Sequence, residues 1–167
     1  MSFQIEGMRS EDWDQVRAIY LEGIATGQAT FETDTPSHKR WESSHLPFAR
    51  LVVRDGDIVK GWAALSPVSS RSAYAGVAET SVYVGELHRG NGIGRGLLES
   101  LIRESEKNGI WTLQAVMFPE NNASIGLHKH LGFREVGRRE RIASLNGVWR
   151  DTLLLERRSN VVEAIKI

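Results

Sequence analysis

Apolar residues recur at helical spacing in four stretches of the chain, and these stretches predict its helices. In residues 10–24 the apolar positions stand three or four apart, and a serine followed by two acidic residues is typical of a helix start. Residues 92–109 carry the clearest apolar stripe, with an Asn-Gly stop signal at the end. Two shorter helices are predicted over residues 36–43 and 122–131.

Runs of Val, Ile, Leu and aromatic residues between these helices predict seven strands. Two turn signals, Asp55-Gly56-Asp57 and Asn146-Gly147, each stand between two apolar runs, which is the pattern of a β-hairpin. The predicted strands cover residues 3–8, 51–54, 58–65, 77–84, 111–118, 136–143 and 148–155.

The order of these elements predicts a mixed α/β sheet flanked by helices. The chain has 167 residues, of which 41% are hydrophobic and 25% charged, as is typical of a globular protein with one core. No linker or repeat divides the sequence. We therefore expect a single domain over residues 1–157 and a C-terminal tail over residues 158–167.

Charge and cysteine content remove several function classes. Lys and Arg together number 21, as do Asp and Glu, so no overall field attracts nucleic acid or a membrane surface. The absence of cysteine excludes disulfides, Cys-ligated zinc and a cysteinyl-enzyme intermediate. No apolar run approaches the roughly 18 residues of a membrane helix, and the N-terminus does not resemble a signal peptide. We expect a cytoplasmic protein that binds neither nucleic acid nor membrane.

The segment from Val82 to Gly96 leads from a predicted strand through several glycines into a predicted helix. Glycines let successive backbone N–H groups converge, and a helix N-terminus carries about half a positive charge, so this segment predicts a phosphate or pyrophosphate site. The spacing misses the dinucleotide fingerprint, because Arg95 stands where a third glycine is needed. It also misses the ATP-type phosphate loop, because Asn91-Gly92 replaces Lys-Ser/Thr. A glycine-rich turn without a ligand remains the alternative.

Two stretches resemble the signatures of the GNAT superfamily of acetyltransferases. Residues 89–94 match its Arg-x-x-Gly-x-Gly loop, which holds the pyrophosphate of coenzyme A, and residues 121–133 match its Asn-x-x-Ser/Ala-x-x-Leu-aromatic-x-x-x-Gly-Phe element. The resemblance implies the GNAT fold: a mostly antiparallel mixed sheet of about seven strands, flanked by four helices and splayed in the middle for acetyl-CoA. It implies acetyl-CoA as co-substrate and no metal. The cofactor-binding residues that it implies are Val82, Tyr83, Val84, Arg89, Gly90, Asn91, Gly92, Ile93, Gly94, Arg95, Asn121 and Ser124.

Residues 71–84 narrow the resemblance to the phosphinothricin and methionine sulfoximine N-acetyltransferases, which carry Arg-x-Ala-Tyr followed by Glu-x-x-Val-Tyr-Val. An amine attacks a thioester only when it is unprotonated, so a base must collect its proton. Glu79 is the candidate base, and an ordinary ion pair at a strand edge is the alternative for it. Arg71 suits a carboxylate or phosphinate, because its planar fork binds such a group at two points. The predicted substrate-binding residues are Phe31, Arg71, Tyr74, Glu79 and Trp149.

His128 is the second candidate catalytic residue. Helical spacing places it on the inward face with Ser124 and Leu131. Many superfamily members have a tyrosine at this position, thought to be the acid toward the departing thiolate, whereas the phosphinothricin group has histidine. We expect His128 to assist as acid or second base, with a buried core histidine as the alternative. Zinc binding with His130 is disfavoured, because residues two apart on a helix point away from each other.

These expectations combine into one functional hypothesis. The chain is expected to be an acetyl-CoA-dependent N-acetyltransferase that transfers the acetyl group directly to the α-amino group of a small amino-acid-like molecule, such as phosphinothricin, methionine sulfoximine or methionine sulfone. The alternatives are acetylation of protein N-termini, lysine or polyamines, and an acyl-CoA-binding sensor without turnover. The resemblance also implies a homodimer.

Overall fold

The computed structural model describes residues 3–164 as a seven-stranded sheet with four α-helices. The helices closely follow the predicted stretches, and the strands do so with longer ends at β6 and β7. The strands are β1 (Gln4–Gly7), β2 (Leu51–Asp55), β3 (Ile58–Pro67), β4 (Val77–Val84), β5 (Thr112–Met117), β6 (Arg134–Leu145) and β7 (Val148–Arg158). The helices are α1 (Trp13–Ala25), α2 (His38–Ser44), α3 (Ile93–Lys107) and α4 (Asn122–His130). Within residues 3–164, no helix is both long and apolar enough to cross a membrane.

Helix α3 shows why the apolar stripe is a reliable signal. Its residues Leu97, Leu98 and Leu101 are fully buried on one face. Full burial of such a side chain contributes about 1.5–3 kcal/mol, so this face fixes how the helix lies on the sheet. The helix ends at Lys107 with Asn108 as its C-cap, and Gly109 follows with a φ of +79°, a backbone conformation that suits glycine.

The sheet opens in its middle. Its order is β1-β2-β3-β4-β5-β7-β6, and all neighbours are antiparallel except β4 and β5, which run parallel. These two strands pair only from Val77–Glu79 to Thr112–Gln114 and then separate. The prediction of a mostly antiparallel mixed sheet that is splayed in the middle is confirmed.

The two faces of the sheet carry different cores. On one face, Val16 of α1 and Trp41 of α2 pack with Trp62 of β3. On the other face, α3 packs against a larger cluster that extends from β2 to β7. Successive side chains of a strand alternate between faces, so β4 contributes side chains to both cores. Tyr83 packs on the α1 side, whereas Val82 packs on the α3 side.

A buried ion pair joins the start of α1 to the sheet. The side chain of Asp12 accepts a hydrogen bond from Arg54 Nη2 at 2.7 Å and from the backbone N–H of Arg9 at 2.8 Å. Glu6 of β1 also contacts Arg54. Burial alone would raise the pKa of Asp12, but Arg54 and the Arg9 N–H outweigh it and lower that pKa below its ordinary value. Asp12 is only 3% exposed, and its charged side chain therefore links β1 and β2 to the start of α1.

Candidate functional site

A large cavity lies where β4 and β5 separate. Its volume is about 1110 Å³, and its lining comes from both faces of the sheet. The glycine-rich turn before α3 and the inner side of α4 line one part, whereas residues 29–36 and α2 line another. Glu79 and residues 80–84 of β4 lie between these parts. The gap in the sheet therefore connects the two sides.

The glycine-rich turn has the geometry expected of an anion site. Gly90 and Gly92 have φ of +81° and +77°, and the space beside both α-carbons is open for 4 Å. Gly92 caps α3, whose first N–H groups have no partner within the helix. Arg89 also lines this part of the cavity and is exposed. Open space, free N–H groups and a cation together fit a phosphate-bearing ligand.

The β4 edge that faces the gap provides a second set of backbone groups. Among the described strands, β5 pairs with β4 only as far as Glu79, so the edge from Thr80 to Val84 has no strand opposite it. On its other side, β4 remains paired with β3 as far as Val84. Unpaired strand edges offer N–H and C=O groups to whatever lies beside them. An extended ligand arm in the gap would meet these groups.

Gly92→Val tests the turn. A β-branched residue is strained at a φ of +77°, so the turn must rearrange and its N–H groups must reorient. We expect the KM for acetyl-CoA to rise by about tenfold, as for a loss of roughly 1.4 kcal/mol of binding. Gly56→Val is the matched control, because Gly56 has a φ of +60° in the β2–β3 turn and does not line the cavity. A similar rise of this KM in both variants would count against the turn as the binding element.

Glu79 lies on the α1 side of the sheet, beside the gap. It stands opposite Ser66 of β3 and opposite Gln114 of β5. Its Oε1 accepts a hydrogen bond from Gln114 Nε2 at 2.8 Å, which orients the carboxylate. Glu79 is partly buried and lines the cavity, so the carboxylate can accept a proton from a group bound there.

His128 reaches the cavity from α4, on the α3 side of the sheet, and is 5% exposed. Its Nδ1 lies 2.7 Å from the carbonyl oxygen of Ser124, so Nδ1 must carry a hydrogen. Burial lowers the pKa of His128, although the bond to Ser124 partly opposes this. Burial thus favours the neutral imidazole, in which Nδ1 carries the hydrogen and Nε2 is the nitrogen with a lone pair. The ring of Phe133 packs edge-on against it at 4.9 Å.

The remaining wall comes from residues 29–36 and α2. Sequence reasoning identified only Phe31 in this region. The available signal was the length of the irregular stretch between α1 and α2, since long unstructured loops in small domains are often functional. The additional polar and aromatic residues that line the cavity here include Glu32, Asp34, Thr35, Arg40, Trp41 and His45.

The structure brings most, but not all, of the predicted site residues together. Asn91 is the one predicted cofactor-binding residue outside the cavity lining, because its side chain donates to the carbonyl oxygen of His88 at 3.3 Å. Arg71 and Tyr74 also lie outside it, with the guanidinium 5.6 Å from the Tyr74 ring. Trp149 is 63% exposed and lines a separate, smaller pocket. Substrate binding by these last three residues stays a prediction.

Comparison with known proteins gives a consistent result. Residues 10–133 match the model of the Acetyltransferase (GNAT) family. The chain is 33% identical over 162 residues to the phosphinothricin N-acetyltransferase of Alcaligenes faecalis, covering 92% of this chain and 81% of that protein. It is 28% identical to the L-methionine sulfoximine/L-methionine sulfone acetyltransferase of Pseudomonas paraeruginosa, covering 93% and 94%. A phosphinothricin acetyltransferase from Sinorhizobium meliloti, solved in complex with AcCoA, superimposes with a TM-score of 0.89 at 29% identity, covering 99% and 93%.

Proposed function

Because this chain belongs to the GNAT family of acetyltransferases, we propose that it acetylates the α-amino group of a small amino-acid-like molecule by direct transfer from acetyl-CoA. One observation carries the proposal: a single cavity joins the glycine-rich turn to Glu79 through the gap between β4 and β5. Relatives named for phosphinothricin and methionine sulfoximine support acceptors of that size and chemistry.

The residues that line the gap fit acetyl-CoA. Gly90, Gly92 and the first turn of α3 would hold its pyrophosphate, and Arg89 would add a charge. The unpaired edge of β4 would hold the amide-containing arm through backbone hydrogen bonds. When bound, acetyl-CoA supplies the activated thioester that the amine attacks.

Proton transfer is assigned to two side chains on opposite sides of the gap. Glu79 accepts the proton of the acceptor's amine, directly or through one water. Because Nδ1 of His128 donates to the Ser124 carbonyl oxygen, Nε2 is the nitrogen left for proton transfer, and the lowered pKa of the ring favours the role of second proton acceptor over that of acid. Backbone N–H groups of β4 near Val82 stabilise the negative charge that develops on the acetyl oxygen. Overall an N–C bond forms, the C–S bond breaks, and one proton passes from nitrogen to sulfur.

A substrate screen tests the proposal. Release of free coenzyme A, followed with a thiol reagent, would be measured for amino acids and for their sulfone, sulfoximine and phosphinate analogues. Small amino-acid analogues are expected to give the highest kcat/KM. Faster turnover of peptides or polyamines would favour the alternative acceptors, and binding of acetyl-CoA without turnover of any acceptor would indicate a sensor.

The acceptor's carboxylate requires a cationic or hydrogen-bonding partner. Several such side chains line the part of the cavity formed by residues 29–36 and α2, which we call the acceptor wall. Arg40 lines the cavity and is exposed. Burial, with Arg50 nearby, lowers the pKa of His45, which disfavours a charged ring there. Within residues 3–164, the Thr35 hydroxyl and the Trp41 indole N–H are buried without a hydrogen-bond partner, and both residues line this wall. Arg40 is therefore the side chain of this wall that best suits the acceptor's carboxylate.

Arg40→Met and Arg71→Met are matched variants that locate this carboxylate. Because Arg40 lines the cavity and Arg71 does not, we expect Arg40→Met to raise the KM of the acceptor by about tenfold, as for loss of a charge-assisted hydrogen bond. Arg71→Met is expected to change that KM by less than threefold. Steady-state kinetics with saturating acetyl-CoA measures both values. The reverse ranking would show that Arg71 reaches the acceptor from outside the cavity of one chain, as a homodimer would allow.

A further inference from the structure

Arg150 of β7 makes contacts that neither the proposed chemistry nor the co-substrate site explains. Its side chain is only 15% exposed. Nη1 donates to the carbonyl oxygen of Gly27 at 3.1 Å, and Nη2 donates to Oε1 of Gln28 at 3.0 Å. The guanidinium lies 3.9 Å from the centre of the Phe118 ring. A longer contact of 3.5 Å reaches the more exposed Glu120.

The groups that Arg150 contacts belong to the wall of the cavity or lead into it. Gly27 and Gln28 stand at the start of the segment that continues into residues 29–36. Phe118 follows β5, and its ring packs edge-on against Phe31 at 5.0 Å. Phe31 and Phe118 both line the cavity. Arg150 therefore contacts two parts of the cavity wall that lie far apart in the sequence.

Among the described residues, few other hydrogen bonds join this segment to the rest of the fold. Thr26 Oγ1 donates to the carbonyl oxygen of Gly23 and accepts from the backbone N–H of Gln28, but these bonds are local. Further along, the Thr30 side chain lies close to that of Tyr83. By contrast, the hydrogen bond from Arg150 to the Gly27 carbonyl joins residues 123 positions apart in the sequence. A charged donor to a carbonyl oxygen makes one of the stronger hydrogen bonds in proteins.

We propose that Arg150 is a positioning residue for the acceptor, fixing residues 27–31 and the Phe31–Phe118 pair in the shape that the acceptor meets. This inference rests on the proposed function, since it assigns the wall to the acceptor. Arg150 does not line the large cavity itself, so it acts through its contacts and not on the reacting atoms. Its removal should weaken binding of the acceptor and leave both the co-substrate site and the proton transfer intact.

Arg150→Met tests the proposal, because methionine keeps apolar contact with Phe118 and removes the hydrogen bonds to Gly27 and Gln28. We expect the acceptor's KM to rise by about tenfold, with kcat and the KM for acetyl-CoA changed by less than twofold. Arg150→Lys can still donate to the Gly27 carbonyl and should give an intermediate acceptor KM. Arg134→Met is the matched control, since Arg134 is an exposed arginine of β6 that pairs with Glu156 and does not line the cavity.

Amide hydrogen exchange provides a second readout that does not require turnover. Exchange in residues 26–31 is expected to accelerate in Arg150→Met, while α3 keeps its protection. An unchanged acceptor KM together with unchanged exchange would overturn the proposal. So would an equal rise of the KM for both substrates with faster exchange throughout the chain, which would indicate a general structural role. If the wild-type protein acetylates no acceptor, the proposed function fails, whereas the exchange measurement still decides whether Arg150 fixes the segment.

Discussion

Replacement of Glu79 by glutamine is expected to lower kcat by about 10²–10⁴-fold, which is the range for loss of a general base. Glutamine has nearly the same shape and can still accept the hydrogen bond from Gln114, so the cavity should keep its form. It cannot take the proton of the acceptor's amine. Binding of acetyl-CoA depends on the turn before α3, so its dissociation constant, measured by calorimetry, should remain within twofold of the wild-type value.

Glu135→Gln is the control for this prediction. Glu135 is an exposed carboxylate of β6 that pairs with Lys129 at 3.3 Å and does not line the cavity. Its replacement should leave kcat unchanged. A Glu79→Gln variant with wild-type kcat throughout the pH range would remove Glu79 from the mechanism. A large loss of acetyl-CoA affinity would instead mean that the substitution disturbs the gap.

Asp12→Ala is expected to lower the free energy of unfolding by about 3 kcal/mol, because removal of one partner from a buried ion pair leaves the other poorly compensated. Arg54 would keep only Glu6, and the backbone N–H of Arg9 would lose its acceptor. Urea unfolding should show a lower midpoint with an unchanged slope. Asp14→Ala is the matched control in the same first turn, where the side chain is exposed, and should cost at most about 1 kcal/mol.

The effect of Asp12 should depend on pH in a defined direction. Its pKa is lower in the folded protein than the ordinary value of 3.8, so the folded state favours the carboxylate. The ion pair therefore contributes its full stability above about pH 4 and loses it as the pH falls below that value. The difference between wild type and Asp12→Ala should shrink over this acidic interval. A constant difference would mean that packing, and not charge, explains the loss.

Elements of the fold that depend on neighbouring residues were predicted well from the sequence. Gly56 in one hairpin turn and Asn146-Gly147 in the other have positive φ. Glycine and asparagine adopt this conformation readily, so these residue types indicate the turns directly. Helix α2 begins at His38, not at position 36, because the side chain of Ser37 accepts a hydrogen bond from the Arg40 N–H and caps the helix. Strand β6 is longer than predicted. Two irregularities in its pairing with β7 interrupt the alternation that sequence reasoning relies on.

The candidate site likewise has parts that the local sequence predicts and parts that depend on distant residues. Glu79 and the glycine-rich turn lie in short stretches whose chemistry is local, so the pattern of residues indicates them. The acceptor wall has no periodicity, and its shape depends on contacts between distant residues, such as the one between Arg150 and Gly27. Arg71 shows the converse difficulty: its residue type suits a carboxylate, but the fold of one chain places it outside the cavity lining. A motif indicates the chemistry of its residues, whereas the convergence of distant side chains depends on the folded chain.

The short pairing between β4 and β5 also bears on how the protein responds to its ligands. Only three residue pairs connect these strands, so the sheet resembles two smaller sheets joined by a narrow bridge and by the shared core beneath α3. A molecule seated across this bridge replaces ladder bonds that the polypeptide itself does not make. Binding of the co-substrate should therefore raise the free energy of unfolding of the whole domain by mass action. The co-substrate would then bridge the two halves of the sheet as well as supply the reactive group.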